Sequence, residues 1–237
     1  MIVDLRLESL YGQVELVRGA GNRKRGRLCI MSFVAFLAGE RHSDDPVTAS
    51  PVIRRYAMII NDALPDRLRQ RLKAFAPRIL GTRDGNDQWR AKLLIEAVRS
   101  ELTPQIIADT GYPIELGLQT MPLRELWDEL TRVGAYDCNG VGIQVYEEIA
   151  AVVARLITHR SHAAINPANH EWYSVKAIEL LDRLCDIGAD CGRPSIPTEH
   201  VAAMSAYLMK HDEIQRLRFR AVAAVARVCN RVPALLR

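Results

Sequence analysis

The run Leu28–Ala38 constrains this chain more than any other stretch. It reads Leu-Cys-Ile-Met-Ser-Phe-Val-Ala-Phe-Leu-Ala, with Ser32 its only polar residue. Its 11 residues fall short of the ~20 that a membrane-crossing helix needs. A helix apolar on every side must meet protein on every side. The run therefore predicts a central core helix ended by Gly39, with the rest of the fold wrapped around it.

The wrapping elements read as amphipathic helices. Ser50 is a helix N-cap with Pro51 at the first helical position, and Val52, Ile53, Tyr56, Ile59, Ile60 and Ala63 form one face. Leu64-Pro65-Asp66 breaks that helix and opens another, carrying Leu68, Leu72, Phe75 and Ile79 to a stop at Gly81. Asp84–Asp87 reads as a turn and cap before a helix over Gln88–Leu102, whose apolar positions include Trp89, Leu93 and Val98. Pro104, Gly111, Pro113 and Gly117 make residues 103–120 an irregular connection and the nearest approach to a domain sub-boundary. Further helices are expected over Thr120–Val133, 143–158 and Trp172–Ile187. Turns at Gly134–Gly142, a polar loop at His159–His170 and a rigid linker at 192–197 separate them. Thr198 opens a last helix that extends toward Arg231.

The strand signal lies in residues 2–17, where Val3, Leu5 and Leu7, then Val14 and Leu16, alternate with polar residues around Tyr11-Gly12. The expectation is a mainly α protein of about eight helices, packed as one irregular domain over residues 1–237, with a short N-terminal β-hairpin. No repeat of fixed period is present, which argues against a solenoid.

The N-terminus, Met-Ile-Val-Asp-Leu-Arg, places an acid and a base inside its apolar stretch, unlike a signal peptide. Cys29, Cys138, Cys185, Cys191 and Cys229 are odd in number and irregularly spaced, which predicts free thiols. A cytoplasmic protein without a membrane partner is expected. The net charge of +4 is only mildly basic and falls short of a dedicated nucleic-acid-binding domain.

Three stretches carry a resemblance. The first is Cys29-Ile-Met-Ser-Phe-Val-Ala-Phe-Leu-Ala-Gly-Glu-Arg-His-Ser-Asp-Asp-Pro46. The second runs from Pro51-Val-Ile through Asn61-Asp-Ala-Leu-Pro-Asp to Arg83, and the third is Leu180-Leu-Asp-Arg-Leu-Cys-Asp-Ile-Gly188. Together, and mainly over residues 28–100, they resemble a group of uncharacterised helical proteins common in high-GC bacteria. The resemblance implies a helical fold and a bacterial or phage origin, and it implies no chemistry. Its members carry an aromatic residue where His42 stands, a departure that counts against a catalytic histidine there.

Three clusters could carry function. Glu40, His42, Ser43, Asp44 and Asp45 form a polar turn between two apolar helices. A carboxylate beside a histidine suits acid–base work, with Glu40, His42 and Asp44 as the catalytic candidates, while Ser and Asp in a turn equally suit helix capping. His159, His162 and His170 are candidate metal ligands, although their spacing on a loop lacks the helical HExxH frame. Arg23, Lys24, Arg25 and Arg27, with Arg67, Arg69, Arg71 and Lys73, would bind nucleic acid if they converged on one face. Aromatic residues, at 6%, are too sparse for a base-stacking platform. No phosphate loop, dinucleotide fingerprint or nucleophile elbow is present, so no cofactor is expected. The reading that remains is a non-enzymatic interaction or regulatory protein working through a protein partner or self-association, with the apolar Ala221–Val228 segment suited to helix packing. Nucleic-acid binding and a metal- or acid–base-dependent enzyme are the alternatives.

Overall fold

The computed structural model describes residues 5–110, 142–163, 167–192, 196 and 198–229. It is mainly helical, with eight helices of eight or more residues among the described residues and a small sheet near the N-terminus. The central helix α2, Ile30–Leu37, is buried along its whole length, as its composition requires. Cys29 caps it, its sulfur accepting the Ser32 N–H.

Residues 5–13 correct the expected position of the hairpin, because they form a helix, α1 (Leu5–Gln13). Leu7, Leu10, Tyr11 and Val14 share one face at spacings of three and four and pack on the core. That longer period overrides the local alternation of Leu5 and Leu7. The strands lie further on. They are β1 (Glu15–Leu16), β2 (Gly21–Asn22) and β3 (Arg27–Leu28), in the order β1-β3-β2. Strand β3 runs parallel to β1 and antiparallel to β2, with Leu28 opposite both Leu16 and Gly21. Gly21 has φ +74°, and a Cβ there would come within 2.3 Å of the Arg27 carbonyl oxygen, so only glycine lets β2 approach β3.

Helix α3, Pro51–Ala63, starts as its cap predicts, with the Ser50 hydroxyl accepting the Ile53 N–H. The next expected helix is broken in two: α4 (Asp66–Arg69), a 3-10 stretch (Gln70–Phe75) and α5 (Ala76–Ile79). Pro77, lacking an N–H, is confined to the first turn of α5. Helix α6, Asp87–Ala97, passes through a π-helical turn at Val98–Leu102 into α7, Thr103–Thr110. The start of the expected irregular connection at 103–120 is therefore helical, with Pro104 absorbed at the junction. Trp89, expected on the apolar face, is exposed, with the Lys92 ammonium 5.0 Å from its ring centre.

Helix α8, Ile143–Ala163, and α9, Pro167–Asp186, replace the expected polar loop at His159–His170 with helix on both sides of a short connection. The expected helix at Thr120–Val133 and turn at Gly134–Gly142 fall mainly outside the described residues, as does most of the 192–197 linker. Helix α10 runs over Thr198–Cys229. Helix α3 packs on α8 and α9, α8 also on α6, and α1 on α10. The buried apolar side chains form one continuous cluster from Leu10 to Leu208. Cys29 and Cys185 are buried reduced thiols. No helix among the described residues is long and apolar enough to cross a membrane.

Candidate interaction surface

The Glu40–Asp45 turn is engaged in holding its neighbours. Glu40 Oε2 accepts the Val47 N–H at 2.9 Å, and the Ser43 hydroxyl accepts the Asp45 N–H at 3.0 Å. Asp45 pairs with Arg54, whose other nitrogen reaches Glu147 at 2.5 Å, tying the turn and α3 to α8. His42 and Asp44 are exposed. The turn braces its own backbone and clamps α3 to α8, and among the described residues it brings no histidine into an ion pair with a carboxylate.

The histidines lie on two helices. His159 and His162 are on α8 and His170 is on α9, where its ring meets the Ser161 carbonyl. Burial first, then the neighbouring Arg160 and His162, hold His159 below the ordinary histidine pKa. Around them is a polar seam. The Ser161 and Ser174 hydroxyls bond at 2.8 Å, and Arg160 pairs with the nearly buried Asp109 at 2.9 Å. Such a seam joins α8, α9 and α7. Among the described residues no group of three histidine, cysteine or acidic side chains could hold a metal ion.

The two basic segments flank β1 on opposite sides. Gln70 brackets Leu16, accepting its N–H at 3.0 Å and donating to its carbonyl at 2.8 Å. Lys73 donates to the Tyr11 carbonyl at 3.0 Å, and burial lowers its pKa against the opposing effect of Glu15. Arg27 pairs with Glu15 across β1 and β3. Several of the cations are committed. Arg69 is buried and holds the Asn61 and Leu64 carbonyls and Asp66. Arg23 donates to the Glu40 carbonyl and lies 4.5 Å from the Phe36 ring centre and 5.8 Å from that of Tyr207 of α10. Lys24, Arg25, Arg67 and Arg71 remain exposed, their charged groups without a partner among the described residues.

One charged feature was invisible in the sequence. Arg90 is the largest fully buried side chain. It binds Asp84 through two nitrogens at 2.7 and 2.8 Å and donates to the carbonyls of Thr82 and Ile187 at 3.0 and 2.8 Å. Asp87, 3.5 Å from Arg90, also accepts from the Ser50 hydroxyl that caps α3. A Cβ on Gly188 would strike Asp84, so the glycine that closes α9 also makes room for this clamp.

A groove of about 570 Å³ opens between the end of α1, the turn at Lys24–Gly26 and the middle of α10. Gly12, Lys24 and Arg25 line one side, and Leu208, Met209 and His211 the other. Comparison with protein-family models, curated proteins and solved structures finds no match. The geometry therefore carries the functional argument by itself. Helix α10 is anchored on one face by Val201, Met204 and Leu208, all buried. Its other face presents Ala202, Ala206, Met209, Glu213 and Leu217, all exposed and spaced by three or four residues. Met209 and Leu217 are 58% and 57% exposed, unusually bare for side chains on one helical stripe.

Proposed function

We propose that the protein is a non-enzymatic helical interaction protein that engages a protein partner through the outward face of α10. The observation that carries this reading is the exposed stripe of Ala202, Ala206, Met209 and Leu217, interrupted by Glu213, on a helix whose opposite face is buried over Val201, Met204 and Leu208. In the sequence the stripe continues at the same spacing with Ala221, Ala224 and Val228. An exposed apolar stripe flanked by charge is how a helix presents a contact surface. The engagement of Glu40, Asp45 and Arg160 in caps and ion pairs supports a structural role for the polar clusters that had suggested chemistry.

The variant Met209→Glu with Leu217→Glu tests the reading. Both sites are exposed, so the unfolding free energy should stay within the ~0.5 kcal/mol scatter of surface substitutions. Association, with itself in sedimentation or with a partner in co-purification from the source cell, should disappear. A fall of more than about 2 kcal/mol in stability would mark the stripe as core, and unchanged association would remove α10 from the function.

Nucleic-acid binding is the second reading, and the approach of both basic segments to β1 favours it. It requires affinity for random DNA or RNA that falls steeply with salt, one released counterion for each phosphate contacted. With Arg69 buried and Arg23, Arg27 and Lys73 engaged, Lys24, Arg25, Arg67 and Arg71 are left to make those contacts.

A further inference from the structure

We infer that the groove beside α10 binds an acidic peptide segment with apolar anchors, supplied by a partner protein. The inference deepens the contact reading above by naming where the partner sits and what it carries. Charge complementarity argues for it first. Among the described residues Lys24 and Arg25 line the groove with no carboxylate engaged, and the one acidic side chain in the lining, Asp212, is already paired with Arg216 at 2.8 Å. The groove therefore offers uncompensated positive charge to whatever enters.

The floor argues against a nucleic acid. Leu208 and Met209 are apolar, and the adaptable thioether of Met209 suits side-chain anchors. Of the nearby aromatic rings, Phe36 is buried beneath Arg23 and Tyr207 is half-buried with His211 edge-on against it, which leaves little ring face for bases to stack on. At about 570 Å³ the groove holds a few anchoring side chains, within the usual range for pockets that read short ligands.

Gly12 supplies a clean probe. It lies on α1 without a positive φ, and a Cβ there would meet nothing within 4 Å. Gly12→Leu should fill the groove without strain and without touching a charge. The full-length protein is immobilised, and random peptides are selected on it by display. The enriched sequences are then synthesised, labelled and titrated by fluorescence anisotropy.

Enriched peptides should carry aspartate or glutamate around leucine or aromatic anchors. The pair Lys24→Glu and Arg25→Glu should weaken their binding by about tenfold or more, as reversal of interface charges does. Gly12→Leu should weaken it comparably, and Arg155→Glu, an exposed arginine on α8, should not. Circular dichroism establishes that each variant is folded. Failure to enrich any peptide, enrichment without acidic bias, or binding indifferent to Gly12→Leu would overturn the inference. So would an oligodeoxythymidine that displaces the peptide at equal concentration, or a dimer that Gly12→Leu dissolves, since each names a different occupant. Peptides lost on Leu217→Glu but not on Gly12→Leu would sink the groove while keeping α10 as the contact surface.

Discussion

Arg90→Met is expected to destabilise the protein by about 3–5 kcal/mol, the range for removing one partner from a buried ion pair. The substitution keeps most of the side-chain volume. The loss therefore comes from Asp84, which stays largely buried without its two guanidinium bonds, and from the Thr82 and Ile187 carbonyls, which lose their donors. The pH dependence separates this from loss of packing. Burial pushes the Asp84 carboxyl upward, but the Arg90 hydrogen bonds and charge and the Asn86 N–H outweigh it and hold the pKa at about 2. A carboxyl depressed on folding adds stability above its unfolded pKa of 3.8, and that stability is lost as pH falls toward 2. The gap between wild type and Arg90→Met in urea unfolding should therefore narrow between about pH 4 and pH 2. A loss under about 1 kcal/mol at neutral pH, or a gap that does not change with acid, would show that the clamp is not the tie between α6 and α9.

Phe33→Ala should be comparably severe, about 3–5 kcal/mol, as for other buried phenylalanines truncated to alanine. Phe33 is fully buried on α2 and meets the Tyr11 ring edge-on with centroids 6.1 Å apart, so it joins the central helix to α1. The cavity would open where α1 and α2 come together. Thermal melts of Phe33→Ala beside Val47→Ala, an exposed apolar site, give the contrast. If both variants melted alike, α2 would not be the centre of the core.

The elements whose signals are local were legible in the sequence. The apolar circumference of α2 and the Ser50-Pro51 start of α3 needed no information from elsewhere in the chain. Residues 5–13 misled because Leu7 belongs both to a two-residue alternation with Leu5 and to a three-to-four-residue spacing with Leu10, Tyr11 and Val14, and the burial of Leu10 decides between them. The end of α8 was hidden because His159, Arg160, Ser161 and His162 look like a solvated loop. Their helix is stabilised by partners on α9 and α7 that sequence spacing does not announce. Nothing in the sequence around Arg90 marks it for burial. Its burial depends on carbonyls contributed by residues 184 and 187, almost a hundred positions away. The groove is likewise assembled from three distant segments, so its cations could be counted beforehand but not placed.

The account stands most directly on whether α10 touches a partner in the cell. A photo-crosslinking amino acid placed at position 209 or 217 of the full chain, and at position 155 on α8 as the control, reads that contact by position. The account predicts discrete crosslinked species at 209 and 217, absent at 155 and lost from position 217 when Met209 is replaced by Glu. No crosslink at either α10 position, or the same species from position 155, would contradict it.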